Sequence, residues 1–219
     1  MQPIFITGIG TGIGKTVVSA ILVEALQADY WKPIQAGFDQ GTDTEWIRNN
    51  VSNSVSRIHP ELYRLRLAAS PHIAAREEFL KIDVDEIVTA YNKMAKQASA
   101  NDILIIEGAG GLMVPLNENE FVIELIRRLN AKVMIVSKNY LGSINHSLLT
   151  AIACKTTRLD VIGWIFNDQY LHYEEEIVHW SGFPSILSVP YTENPDRLFI
   201  RSQAARLSPE LKSQVMQVH

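Results

Sequence analysis

Gly8-Ile9-Gly10-Thr11-Gly12-Ile13-Gly14-Lys15-Thr16 lies between the apolar run Ile4-Phe5-Ile6 and the helix-forming stretch Val17-Val18-Ser19-Ala20-Ile21-Leu22. A strand, a glycine-rich turn and Gly-Lys-Thr opening a helix is the layout of a phosphate cradle. Closely spaced glycines let successive backbone N–H groups turn inward on an anion. Lys15 at the helix start can reach β- and γ-phosphate oxygens, and the Thr16 hydroxyl can ligate Mg²⁺. The strict pattern asks for glycine five positions before Gly14, where Ile9 stands, and Gly8 comes one residue early. A glycine turn followed by a surface lysine is the competing reading, but the physical requirements of a cradle survive the offset.

Outward from this segment, apolar runs at 3–7, 30–35, 102–107, 132–137, 161–167 and 185–189 alternate with helical patterns. Ile103-Leu104-Ile105-Ile106 is apolar on successive residues, which suits a strand buried on both faces of a parallel sheet. Thr42-Asp43-Thr44-Glu45 has the form of a capping box and predicts a helix from near Asp43. Asp83 can cap a second, with Ile87, Tyr91, Met94 and Ala98 at helical spacing. Phe121, Leu125, Ile126 and Leu129 form a third stripe, and 141–156, 173–180 and the tail after Asn194 are also predicted helical. Glu61 to Leu67 alternates with period two and predicts a half-exposed edge strand, after a polar surface loop at 49–60. The β-α order predicts an α/β fold: a mainly parallel central sheet with helices on both faces, as a single domain over residues 1–219.

The composition is 47% hydrophobic and 20% charged, with net charge −4. That balance argues against a general nucleic-acid or membrane-surface role. Cys154 is the only cysteine, which predicts no internal disulfide and a reduced, cytoplasmic setting. The N-terminus lacks the basic and apolar regions of a secretory signal. No apolar stretch approaches the roughly 20 residues of a membrane helix, and the histidines show no metal-ligand spacing.

Four further segments bear on chemistry. Trp31-Lys32-Pro33-Ile34-Gln35-Ala36-Gly37 ends a predicted strand at the sheet edge where open α/β folds bind ligands. Lys32 there is either a second cation beside the phosphates or a solvated lysine before a proline turn. Asp43 can hold Mg²⁺ directly or through water, although an acid in a first helical turn is favoured by the dipole alone. Glu107, ending an apolar strand before Gly108-Ala109-Gly110-Gly111, occupies the position of a Mg²⁺ partner in phosphate-loop enzymes. Asn167-Asp168 ends another strand, and its amide can pair with a purine edge or simply form a turn.

In this order the segments resemble the dethiobiotin synthetase family. The resemblance is carried by Phe5-Ile6-Thr7-Gly8 with Thr11 and Gly14-Lys15-Thr16, by Lys32 to Gly37, and by Ser70-Pro71-His72-Ile73-Ala74-Ala75. It continues in Glu107 to Gly111 with Pro115, in Leu141-Gly142-Ser143-Ile144-Asn145-His146, in Gly163-Trp164 with Asn167, and in Pro190-Tyr191 with Glu193-Asn194-Pro195. It implies a phosphate-loop fold and an ATP- and Mg²⁺-dependent closure of 7,8-diaminononanoate with CO₂ to dethiobiotin, through a mixed carbamic-phosphoric anhydride. Lys15, Lys32 and Thr11 would be catalytic. The implied nucleotide site comprises Gly12, Ile13, Gly14, Lys15, Thr16, Val17, Asp43 and Glu107, Gly108, Ala109 and Gly110, and Asn167, Asp168, Pro190, Tyr191 and Asp196. Thr16, Asp43 and Glu107 would hold the metal. Thr11, Lys32, Ala36, Gly111 and Asn145 would meet the diamine, with Asn145 near the partner of a homodimer.

Three positions depart from the family pattern. Gly10 and Gly12 stand where Thr and Glu are frequent, Ala36 replaces a Ser or Thr hydroxyl, and Tyr191-Thr192 shortens the late nucleotide loop. Two rival families are weighed against this one. A regulatory ATPase switch of the partition or septum-site type would carry an extra lysine at position 10, which is Gly10 here. A glutamine-dependent amide ligase would need an added glutaminase domain.

Overall fold

The computed structural model describes residues 1–99, 102–167, 171 and 173–207. Among these, one sheet is built from β1 (Gln2–Gly8), β2 (Asp29–Trp31), β5 (Ile103–Gly111), β6 (Lys132–Lys138), β7 (Val161–Asn167) and β8 (Ser185–Val189). Its order is β2-β5-β1-β6-β7-β8 and every pairing is parallel. The connections are the helices α1 (Lys15–Leu26), α2 (Asp43–Asn50), α3 (Pro71–Glu77), α4 (Val84–Gln97), α5 (Val122–Leu129), α6 (Ser143–Thr156), α7 (Glu174–Ser181) and α8 (Arg197–Arg206).

The period of two along each strand divides its side chains between two cores. Ile4 and Ile6 join one layer and Phe5 the other; Met134 and Val136 part in the same way from Val133 and Ile135, and Ile165 from Trp164 and Phe166. The first layer is covered by α1 and α8, with Ile21, Leu22 and Ile200 fully buried. The second is covered by α4, α5, α6 and α7 through residues such as Ile87, Ile126, Cys154 and Ile177. Each such side chain contributes about 1.5–3 kcal/mol on burial. Burial also pushes the Cys154 thiol up to about 12, so it serves as a core group.

From β1 the chain passes through α1 to β2 on one side, while β5 leads through α5 to β6 on the other. The crevice at the C-terminal ends of β1 and β5 is therefore the switch point at which such sheets take ligands.

The expected strand over 30–35 is two strands. β2 ends at Trp31; β3 (Ile34–Ala36) leaves the sheet and pairs in parallel with β4 (Tyr63–Leu65). Pro33 has no N–H to extend the ladder, and its carbonyl instead accepts from Leu62 and Tyr63 N–H. The alternating run at 61–67 thus shrinks to β4, in a separate two-stranded sheet. α3, opened by Pro71 at its first turn, arises where no helix was expected.

Both edges of the main sheet carry features that oppose further strand pairing. Tyr30 N–H donates to the Arg57 carbonyl and His59 N–H to the Tyr30 carbonyl, so residues 57–59 cover β2. β8 is five residues long, lies between Pro184 and Pro190, and its Ser188 carbonyl accepts from Arg206. Among the described residues no helix is long and apolar enough to cross a membrane.

Candidate active site

The turn after β1 delivers α1 with its first N–H groups uncapped by any side chain. They point into the crevice and suit an anion there. Gly14 sits at φ 89°, and a Cβ on it would lie 2.4 Å from Asn167 Nδ2. That residue must therefore be glycine. The Asn167 amide donates to the Ile13 carbonyl at 2.6 Å, tying the end of β7 to the turn. Lys15 folds back to donate to the Gly10 carbonyl at 2.9 Å. Burial, with the nearby Lys32 charge, depresses its ammonium to about 8 despite Glu107 and Asp43.

Beside the turn lies a cluster of charges. The break at Pro33 turns Lys32 inward, where it is 7% exposed and paired with both Asp43 and Glu107, the latter at 3.0 Å. Burial alone would lower the Lys32 pKa, but the two carboxylates outweigh it and raise it. Burial works against the charge of Asp43 too, and there the Lys32 ammonium prevails and holds the carboxyl below the usual range. Asp43 opens α2 behind the expected capping box: Thr42 Oγ1 accepts from Glu45 N–H at 3.1 Å and Glu45 from Thr42 N–H at 2.9 Å. The Thr16 hydroxyl lies 2.8 Å from Asp43 Oδ1 and 3.0 Å from Glu107 Oε1, within donating distance of both. Three hard oxygens thus converge at the start of α1, a donor set that suits Mg²⁺ completed by phosphate and water. Among the described residues, no group of three His, Cys, Asp or Glu side chains offers a rival metal site.

Glu107 does not end its strand as the sequence suggested. β5 runs on to Gly111, which pairs with Gly8 after a register shift. A Cβ at 111 would stand 2.8 Å from the Gly8 carbonyl, so bare backbone lets the two strands close behind the carboxylate.

A cavity of about 800 Å³ opens over the cluster. Of the residues singled out from sequence, Thr11, Gly12, Gly14, Lys15, Thr16 and Val17 line it from the turn, Lys32, Ala36 and Asp43 from one side, and Glu107, Ala109 and Gly110 from the other. A smaller cavity of about 140 Å³ adjoins it, sharing Gly12, Gly14 and Val17 and adding Ile13, Asn167, Pro190 and Tyr191. Gly108 is buried against Phe5, Gly111 packs on β1, Asn145 is exposed on α6, and Asp196 caps α8 by accepting from Phe199 N–H at 2.8 Å. None of these four lines either cavity. Asp168 lies outside the described residues.

Two residues at the site were not singled out from sequence. Tyr30 is fully buried and donates to Glu107 Oε2 at 2.9 Å, yet in sequence it is one more apolar strand residue. Gln35 accepts from Asp43 N–H at 3.3 Å and donates to the Gly37 carbonyl at 2.7 Å, bracing the loop before α2. A glutamine at a strand end was the visible hint.

A family model described as an AAA domain matches residues 2–197. The ATP-dependent dethiobiotin synthetase BioD of Cytophaga hutchinsonii is 45% identical over 208 residues, covering 94% of this chain and 97% of that one. The chain belongs to the dethiobiotin synthetase family. The BioD of Christiangramia forsetii is 47% identical over 163 residues, 74% of each chain. Among solved structures, the MinC:MinD complex of Aquifex aeolicus matches with a TM-score of 0.57 at 15% identity, covering 94% of this chain and 96% of that one. A ParA family ATPase of Chlorobium tepidum gives 0.57 at 13%, covering 98% and 97%. These two likenesses show the fold alone, while the sequence relatives, named ATP-dependent dethiobiotin synthetases, show the family.

Proposed function

We propose that this chain closes the ureido ring of dethiobiotin from 7,8-diaminononanoate, CO₂ and ATP, releasing ADP and phosphate. The observation that carries this reading is the convergence of Lys15, Lys32, Thr16, Asp43 and Glu107 on one cavity. One amine of the diamine adds to CO₂ and loses a proton, giving a carbamate. A carbamate oxygen attacks the γ-phosphorus and ADP leaves. The second amine then attacks the carbamate carbon, and phosphate leaves as the ring closes. No protein nucleophile is needed. Acceleration comes from holding the partners together and from fixed positive charge where negative charge gathers.

Lys15 and Lys32 face the cavity from two sides and would clamp the transferring phosphoryl group and the carbamate, which the Thr11 hydroxyl on the same wall would orient. Thr16, Asp43 and Glu107 would hold Mg²⁺, which would supply positive charge to offset that of the phosphates. The smaller cavity, with Asn167, Pro190 and Tyr191, is suited to the base of the nucleotide, with Ile13, Val17 and the backbone of Gly12 and Gly108–Gly110 near the phosphates. Asp196 and Asp168 stay assigned to the nucleotide on family resemblance, as Gly111 does to the diamine. Ala36 offers no hydroxyl to the diamine, whereas Ser70 places one on the same wall. Asn145, exposed on α6, would meet the carboxylate tail of a diamine bound in the partner of a homodimer. We place the enzyme in the cytoplasm.

Purified protein given diaminononanoate, bicarbonate and Mg-ATP is expected to form dethiobiotin in step with ADP. ATP hydrolysis that ignores the diamine, with no product, would favour the partition-type switch instead.

Lys15 also sets a pH dependence. Its free-site value of about 8 means that it is charged below pH 8 and increasingly neutral above it. A bound triphosphate favours the charged form and raises its pKa, so binding takes up a proton only above that point. ATP affinity in EDTA is therefore expected to fall by up to about tenfold per pH unit above pH 8 and to stay level just below it. Calorimetry in buffers of different ionisation enthalpy reads the uptake directly, and Lys15→Met should abolish it. Equal uptake in the variant would assign the proton elsewhere.

A further inference from the structure

Tyr30 has no part in the chemistry above, and the family resemblance assigns it none. It stands on β2 opposite Ile105 of β5, on the face that Glu107 shares two residues further along. Its backbone is held on the other side as well, by Arg57 and His59. The side chain is fully buried, and its hydroxyl donates to Glu107 Oε2 at 2.9 Å. The other oxygen, Oε1, receives Thr16 at 3.0 Å and Lys32 at 3.0 Å. The two carboxylate oxygens are thus divided: Oε2 is satisfied from the core side and Oε1 is turned to the cavity.

We infer that Tyr30 is a positioning residue that fixes the rotation of the Glu107 carboxylate, so that one oxygen alone is presented to the metal of the nucleotide complex. The inference rests on the proposed role of Glu107 as a metal-holding group. A partner that orients a ligating carboxylate typically tunes metal affinity by ten- to a hundredfold. Oε2 lies against the fully buried Tyr30, and Glu107 itself is 1% exposed, so solvent is poorly placed to replace the phenol. Without Tyr30, the carboxylate must leave a buried oxygen unpaired or turn, and turning takes Oε1 from Thr16.

The test is Mn²⁺ binding to the ADP complex, followed by electron paramagnetic resonance. Tyr30→Phe is expected to weaken Mn²⁺ about tenfold or more and to leave metal-free ADP binding unchanged. In turnover it should raise the Mg²⁺ needed for half-maximal rate, with the KM for the diamine unaltered at saturating Mg²⁺. Wild-type Mn²⁺ affinity in Tyr30→Phe overturns the inference. A cycle with Glu107→Gln separates orientation from general loosening: once Glu107 is changed, removing the phenol should have no further effect on Mn²⁺, and additive losses overturn the inference. Should Tyr30→Phe fail to fold, the wild type supplies the measurement. The buried phenolic proton should shift by NMR when Mg²⁺ joins the ADP complex, and a resonance indifferent to Mg²⁺ counts against the role. Because the binding arms need no diamine, failure to make dethiobiotin would refute the proposed reaction without touching this result.

Discussion

Lys32→Ala is expected to lower turnover by roughly 10²–10³-fold while ADP affinity stays within about threefold of wild type, as for the loss of one preorganised charge at a reacting centre. The split follows from position. Lys32 is anchored by Asp43 and Glu107, and its ammonium is paired with those carboxylates and not with the glycine turn. Lys15 and the start of α1 remain to bind phosphates. Parallel measurement of kcat and of calorimetric ADP affinity checks it, and equal losses in both would show that Lys32 serves nucleotide binding in general. Arginine should not rescue turnover, because its larger planar fork does not place charge where the compact ammonium sits beside the reacting groups. The variant also leaves those carboxylates facing each other without their cation. Added Mg²⁺, even without nucleotide, should therefore raise its melting temperature more than that of wild type.

Glu107→Ala is expected to cost stability as well as activity. It strips Lys32 of one partner, Tyr30 of its acceptor and Thr16 of one of two acceptors, and both Tyr30 and Lys32 are buried. Breaking a buried ion pair from one side typically costs about 3–5 kcal/mol, which urea denaturation will read. Asp43 still neutralises Lys32, so the lower end is expected here. Glu107→Gln should recover only part of that stability, since an amide fills the same volume and its one oxygen can accept from Tyr30 while its NH₂ then faces the Lys32 ammonium, and it should still turn over poorly. A fully active Glu107→Gln would remove the negative charge at this position from the mechanism.

The layers of the fold were legible because they follow from local rules. Ile4, Phe5 and Ile6 are apolar in succession because they face two cores, and Thr42 to Glu45 capped a helix as their spacing required. The turn of glycines, Lys15-Thr16 and the acid at 107 were legible for the same reason: each is tied to its neighbours in sequence. What escaped was set by distant partners. Pro33 gave notice of a break, but the pairing of β3 with residues 63–65 depends on a contact some thirty residues away. α3 is seven residues long and has no strong periodicity to announce it. Tyr30 became a site residue only because β2 lies beside β5, a neighbour separated from it by more than seventy residues. A phenol in an apolar run does not disclose which carboxylate it will meet.

The guarded rims of the main sheet have a consequence for how two molecules can meet. A bare strand at a sheet margin is a template on which another chain can add by backbone pairing. Here residues 57–59 already take the outer hydrogen bonds of Tyr30, and the opposite margin is short and bracketed by prolines. Edge-to-edge continuation of the sheet, the route to both strand-paired dimers and fibrillar aggregates, is opposed at Tyr30 by backbone pairing and at β8 by its flanking prolines. A pairing of two copies that avoids these margins is written in side chains on helices and loops, where single substitutions can tune it without disturbing the backbone scaffold that carries the phosphate turn.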